Sequence, residues 1–326
     1  MKLATYKDGS RDGQLVVVSR DLSQAHYASG IANRLQQVLD DWNFLAPQLA
    51  DLSAELNAGR ALHAFAFEPG RCMAPLPRAH QWVQALAYPA HVRRLRQALG
   101  ASGEAPLTQP LLLQGASDDF LGPCDALALP GPQSGLDFGA QLAVATGDVE
   151  RGADPEQARA GVRLLALANA FSLRLLMAAE QALGLGCVQS LPATAFSPVA
   201  VTPDELGEAW QGGRVQLQLQ CAVNGRRFGM GEAGQDMAFD FGQLLAHLAR
   251  TRRLRAGTLV GSGPVANAGT ELGHACIADK RAVEASEAGR ARTGYLRHGD
   301  SVRIEMKNRA GHSVFGAIDQ DVAMPA

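Results

Sequence analysis

The residues able to do chemistry in this chain form few recognisable groupings. Gly261-Ser-Gly263-Pro-Val-Ala266 follows an apolar run and superficially matches the glycine pattern that cradles a dinucleotide pyrophosphate. That chemistry needs a helix N-terminus directly after the glycines, whereas Asn267-Ala-Gly-Thr270 reads as a turn. Ser172, Ser197 and Ser262 lack the G-x-S-x-G context of an exposed nucleophile, and no H-E-x-x-H zinc motif occurs. The five cysteines, Cys72, Cys124, Cys187, Cys221 and Cys276, are scattered and odd in number, without the close spacing of a zinc or redox pair. They are expected to be reduced and partly buried. Ser117-Asp118-Asp119 is acidic but reads as a solvated turn.

Around these residues the chain is ordinary for a globular protein. Its 326 residues are 47% apolar and 19% charged, enough for one large domain and a smaller one. With 30 basic against 32 acidic residues the net charge is −2, and no run of Lys or Arg marks a nucleic-acid surface. The pairs Arg93-Arg94 and Arg252-Arg253 read as solvated faces. Neither a secretory h-region after Met1-Lys2 nor a bilayer-length apolar run is present, which makes the cytoplasm the expected location and excludes a membrane partner.

Leu3 to Tyr6, a turn at Asp8-Gly-Ser10 and Gln14 to Ser19 predict an N-terminal hairpin. Apolar residues at Leu35, Val38, Leu39, Trp42, Leu45, Leu49 and Leu52 predict two short helices broken at Pro47. Asp154, Pro155 and Gln157 make a capping box that opens a helix expected to run through Val162, Leu165, Ala168 and Phe171. Alternation in Val215 to Gln220, Thr258 to Val260 and Ser301 to Met306 predicts strands with one packed face.

Five ordered blocks then carry a resemblance. They are Met73-Ala-Pro-Leu-Pro-Arg78, Gln114-Gly-Ala-Ser-Asp-Asp-Phe-Leu-Gly-Pro123, Pro192 to Gly207, Gly261-Ser-Gly263 and Gly316-Ala-Ile-Asp-Gln320. From near Met1 to about Val322 the chain resembles the bacterial two-domain branch of the fumarylacetoacetate hydrolase family. The resemblance implies an α+β, mostly β fold: a small N-terminal α/β module over residues 1–70, and a β-roll or sandwich domain with a central cleft over 71–326. It also implies a homodimer.

Members of that family hold Mg²⁺, Mn²⁺ or Ca²⁺ with an Asp, a Glu-x-Glu pair and a second Asp, the oxygen-only ligation that hard cations require. The matching positions here are Gln84, seven residues before His91; Gly139 and Gln141 in the strand Leu136 to Val144; and Ala170 within Asn169-Ala-Phe-Ser-Leu-Arg174. Two amides, a hydrogen and a methyl cannot offset the dehydration of a dication. No metal and no other cofactor is therefore expected, with Asp137, on the face of Gly139, as a substitute acid that more simply marks the start of the strand. Replacement extends to the substrate-contacting positions: the family's Lys is missing from Gln189-Ser190-Leu191-Pro192, and Pro264 stands for the Thr of its Gly-Ser-Gly-Thr turn.

The family pairs a His with a carboxylate as the base that activates water, and here His91 matches the His while Asp279 is the candidate acid. Two functions follow. One is a degenerate member that keeps a small-molecule cleft or serves as a non-catalytic subunit beside an active paralogue. The other is a metal-independent enzyme on a β-dicarbonyl or 2-keto acid, with His91 as acid or base, Gln84 and Gln141 as hydrogen-bond donors, and Gly139 and Ala170 opening volume for a larger substrate.

Overall fold

The computed structural model describes residues 1–98, 107–128, 131, 133–184 and 186–324. Its spine is an eleven-stranded sheet running from Phe65–Ala66 through Gln24–Tyr27, Gln14–Val18, Lys2–Tyr6, Ala200–Val201, Val162–Ala170, Ala140–Thr146, Leu259–Gly261 and Trp82–Ala85 to Leu112–Gly115. Thr194–Phe196 pairs off this path with Val162–Ala170. A five-stranded sheet, in the order Arg226–Glu232, Gln218–Val223, Ser301–Met306, Ile318–Ala323 and Leu127–Ala128, packs beside it. The fold is mixed, mostly strands, as the resemblance implies.

The expected N-terminal hairpin forms, with Lys2 facing Val18 and Tyr6 facing Gln14. Lys2 and Leu3 also pair with Val201 and Ala200, so the N-terminal strands continue the central sheet. Gly13, at φ +59°, closes the turn where a Cβ would lie 2.5 Å from Thr5 Cγ2 and 2.6 Å from the Tyr6 carbonyl oxygen.

Two helical expectations need correction. The break between Leu35–Asp40 and Trp42–Asn57 falls at Asp41, and Pro47 lies inside the second helix. Pro47 stands six residues into that helix and forfeits one intrahelical bond, while the helix keeps Ala46, Leu49, Ser53 and Leu56 buried.

The capping box at Asp154 is real: its Oδ1 accepts from the Glu156 and Gln157 amides at 2.9 and 2.8 Å, and Gln157 Oε1 accepts from the Asp154 amide at 3.1 Å. That helix, however, ends at Ala160, and Val162–Ala170 is a strand. Eight of its nine residues are buried, so it is apolar on both faces and its sequence fits either period. The run Val215 to Gln220 is likewise divided, between Arg214–Val215 and Gln218–Val223. All five cysteines are free; Cys72, Cys221 and Cys276 are buried, Cys187 is intermediate and Cys124 exposed.

Candidate functional site

Gln84 and Gln141 stand on strands separated by Leu259–Gly261, which pairs with both. They meet across it: Gln141 Nε2 donates to Gln84 Oε1 at 3.3 Å, and Gln141 Oε1 accepts the Gly263 amide at 2.8 Å. The absence of a side chain at Gly261 permits this contact, since a Cβ there would lie 2.3 Å from Gln141 Oε1. Both glutamines are buried. Their oxygens thus serve internal hydrogen bonds and are not gathered to surround a cation.

Gly139 lies beside Ala170: the Ala170 amide donates to the Gly139 carbonyl at 3.0 Å, and the Gly139 amide donates to Asn169 Oδ1 at 3.1 Å. A Cβ on Gly139 would lie 2.7 Å from the Ala170 carbonyl oxygen and 3.5 Å from Pro264 Cγ. The expectation that Gly139 opens volume is therefore wrong, because neighbouring backbone and the Pro264 ring already occupy that space. Pro264 and Ala170 are buried.

Asp137 is fully buried and committed. Its Oδ1 accepts the Ile277 amide, while Oδ2 accepts the Ala278 amide at 3.0 Å and Arg174 Nε at 2.9 Å. It binds the N-terminus of the helix Ile277–Ala288, where exposed amides and the helix dipole favour an anion. These partners leave it poorly placed as a substitute metal ligand.

The helix Pro89–Ala98 brings His91 and Arg94 to the helix Ile277–Ala288, which carries Asp279. His91 Nδ1 lies 2.7 Å from Asp279 Oδ1, and Arg94 Nη1 donates to Asp279 Oδ2 at 3.2 Å. Arg94 Nη2 donates to the carbonyls of Asn267 and Gly269 at 3.0 and 3.1 Å. Arg94, read from sequence as part of a solvated face, is instead 4% exposed, because Asp279 and the carbonyls of Asn267 and Gly269 enclose its guanidinium on the side of the helix that also carries His91. Burial opposes ionisation of Asp279, yet His91 and Arg94 hold its carboxyl below the ordinary value. An ionised Asp279 fixes a proton on His91 Nδ1, leaving Nε2 as the basic nitrogen. Nε2 has no hydrogen-bond partner among the described residues.

Cys276 Sγ lies 3.9 Å from the same His91 Nδ1. His91, Cys276 and Asp279 are thus close enough to share a cation, with ligand atoms within 4.8 Å of one another. Their chemistry does not suit a cation, because Asp279 is already engaged by Arg94 and His91, and burial pushes the Cys276 thiol well above its ordinary value. His274, not singled out from sequence, also belongs to this cluster. Its Nδ1 is buried without a partner, and burial together with the neighbouring Arg94 lowers its pKa.

Ser190 and Leu191 are buried in the segment after the helix Arg174–Ala182. Glu180 holds that segment, accepting the amides of Val188, Gln189 and Ser190 and the Ser190 hydroxyl. The Ser190 hydrogen bond and these amides bring the Glu180 carboxyl down to about 2. Ser190 in turn accepts the Leu173 amide through its carbonyl at 2.9 Å. Asp118 and Asp119 are exposed, in keeping with a solvated turn. Gly261-Ser-Gly263 leads into bends, and the next helix begins only at Ile277.

Residues 81–323 match the model of the fumarylacetoacetate (FAA) hydrolase C-terminal family, and residues 1–78 match fumarylacetoacetase N-terminal domain 2. No curated protein matches the sequence. Among solved structures, a Mycobacterium smegmatis protein provisionally assigned as HpcE is similar at TM-score 0.70 and 18% identity, with 100% of each chain covered. Maleylpyruvate hydrolase from Sphingobium sp. SYK-6, solved with manganese(II) and pyruvate, gives TM-score 0.67 and 16% identity over 100% of each chain. Fumarylacetoacetate hydrolase from Exiguobacterium antarcticum gives 0.67 and 17%, again over 100% of both chains. At such identities these likenesses speak for the fold alone.

Proposed function

Because this chain belongs to the fumarylacetoacetate hydrolase family, we propose that it retains a small-molecule cleft on the family's fold without the family's metal-dependent reaction. The observation that carries this reading is the internal bonding of Gln141, whose oxygen is taken by the Gly263 amide and whose nitrogen is taken by Gln84. Gly139 and Ala170 contribute no side-chain oxygen, so none of the four matched positions supplies a carboxylate. Without a Lewis acid, the enolate charge generated by cleaving a β-dicarbonyl has lost its main stabiliser.

In this role the protein binds a carbonyl or carboxylate ligand, or accompanies an active paralogue as a non-catalytic subunit, and it forms a dimer. The Sphingobium relative was solved with pyruvate, which makes 2-oxo acids the first ligand class to examine. The test is a calorimetric titration of chelator-treated protein with Mg²⁺ and Mn²⁺, joined to metal analysis of untreated protein. Stoichiometric binding would sink the metal-free reading. Co-expression with an active paralogue yielding only homogeneous oligomers would remove the subunit role.

A second reading is favoured by the His91–Asp279 contact. With Nδ1 tied to a carboxylate and Nε2 unpartnered among the described residues, His91 is arranged as a general base usually is. In a metal-independent enzyme it would take a proton from water or from the carbon between two carbonyl groups. His91→Ala should then abolish turnover of an acylpyruvate while leaving unfolding unchanged, and retained turnover would exclude the role.

A further inference from the structure

We propose that loops 148–152 and 250–255 form a second binding site, for the phosphate group of a small phosphorylated molecule. The site shares no residue with the cluster around His91 and stands independently of the metal-free reading. Its first loop follows the strand Ala140–Thr146, so that Asp148 lies roughly 20 Å along the chain direction from Gln141. The two loops hold five arginines, Arg151, Arg250, Arg252, Arg253 and Arg255, against two acids, Asp148 and Glu150. A local charge of +3 thus stands on a chain whose net charge is −2.

The pairing between the loops shows where that excess falls. Val149 and Leu254 exchange backbone hydrogen bonds at 2.9 Å in an antiparallel bridge, and the Gly152 amide donates to the Ala249 carbonyl at 2.9 Å. One residue to either side of the bridge, opposite charges meet: Arg255 Nη1 donates to Asp148 Oδ2 at 3.1 Å, and Arg253 Nε lies 3.1 Å from Glu150 Oε2. One step further the same register sets Arg151 against Arg252. Both are exposed, and neither has an ion-pair partner among the described residues. Like charges set opposite each other are unfavourable, and this is the one position of the run at which the loops fail to complement each other. Arg151 and Arg252 line a surface concavity of about 490 Å³ together with Glu150, Thr251 and Arg253. An anion seated there turns the repulsion into two charge-assisted contacts, since each guanidinium offers a fork of N–H donors to paired oxygens. Two facing cations call for a dianion. A phosphate monoester carries about −1.5 to −2 near neutral pH, with three acceptor oxygens, where a single carboxylate brings −1 and two.

The test titrates inorganic pyrophosphate and, separately, adenosine diphosphate into the full-length protein by calorimetry, with ionic strength held constant by sodium chloride. Saturable binding of both is expected; equal affinities assign recognition to the phosphates, and tighter adenosine diphosphate shows that the carrier is also contacted. Replacing both Arg151→Gln and Arg252→Gln should weaken pyrophosphate by about tenfold or more, the effect of losing hydrogen bonds to a charged acceptor. Arg252→Glu completes the complementary run by placing a carboxylate opposite Arg151, and it should abolish binding while leaving the melting temperature unchanged or higher. Arg226→Gln with Arg227→Gln, two exposed arginines on another strand, removes the same charge elsewhere and should leave binding as it was. Absence of saturable binding, unchanged affinity in a folded Arg151→Gln and Arg252→Gln double variant, or an equal loss in the Arg226→Gln and Arg227→Gln control overturns the proposal.

Discussion

His91 Nδ1 and Asp279 Oδ1 are 2.7 Å apart, and both residues are almost wholly buried although 188 positions separate them in sequence. Asp279 Oδ2 is held by Arg94, so one carboxylate joins an imidazole and a guanidinium that leave the same helix three residues apart. The cluster is consequently both a candidate proton-transfer centre and a clamp between two helices.

Arg94→Met should destabilise the fold by about 3–5 kcal/mol, the usual result of removing one partner from a buried ion pair. It strands one Asp279 oxygen and the carbonyls of Asn267 and Gly269. The pH dependence follows from the depressed Asp279 pKa. A carboxylate with a folded-state pKa below its unfolded value contributes stability above the unfolded value of 3.8, and loses it as pH falls through the folded value. Removing Arg94 raises the folded value, so the acid-unfolding midpoint should move to higher pH. Urea titrations across the acid range measure both effects, and an unchanged midpoint would contradict the assignment.

Gly139→Ala tests whether the region could simply regain its carboxylates. Its new Cβ would approach the Ala170 carbonyl oxygen to 2.7 Å, and backbone on that side can yield only by shifting a strand. A loss of about 1–3 kcal/mol is expected, as for other overpacked interiors. Reinstating acids at positions 84, 139, 141 and 170 together should then give weak metal binding or none. Calorimetry with Mn²⁺ and a melting curve check the two parts separately.

The sequence made the family, the strand-rich fold and the neutralised positions legible because each depends on residues within a short block. Asp154 and Gln157 announced a helix start through a local hydrogen-bonding pattern. The end of that helix was hidden, since Val162–Ala170 is apolar at every position but Arg163 and Asn169 and so satisfies a period of 3.6 as readily as a doubly buried strand. Arg94 was misread for a different reason. What buries it is Asp279 and two loop carbonyls far along the chain, and nothing beside Arg94 in sequence signals them. The exchange between Gln84 and Gln141 likewise depends on Gly261, on the strand between them.

Glu180 should govern the order of the segment leading to Ser190. Its carboxylate collects three successive amides and one hydroxyl, a demand that a single amide oxygen cannot meet. In Glu180→Gln, hydrogen exchange at Val188, Gln189 and Ser190 should quicken while exchange in the central sheet stays constant. The natural carboxyl, lowered from 4.5 to about 2, contributes fully above pH 4.5 and loses its contribution as pH falls towards 2. The segment should therefore loosen below pH 4.5 in the natural protein, whereas in the variant its exchange, corrected for intrinsic chemistry, should show no such step.

Asp137→Asn addresses the buried acid two residues before Gly139. As a structural anchor, Asp137 needs two acceptor oxygens for three donors: the amides of Ile277 and Ala278 and the Arg174 guanidinium. Asparagine retains one oxygen and turns an NH₂ group towards the remaining donors, leaving buried N–H groups opposed and Arg174 without its counter-charge. A loss of about 3–5 kcal/mol is expected, in the range for breaking a buried pair. The helix so anchored carries Asp279, two residues beyond Ile277, and the loss should reach the candidate site. The His91 imidazole resonances should shift in the Asp137→Asn variant under conditions where it remains folded. Unchanged resonances together with unchanged stability would show that Asp137 does not hold this helix in place.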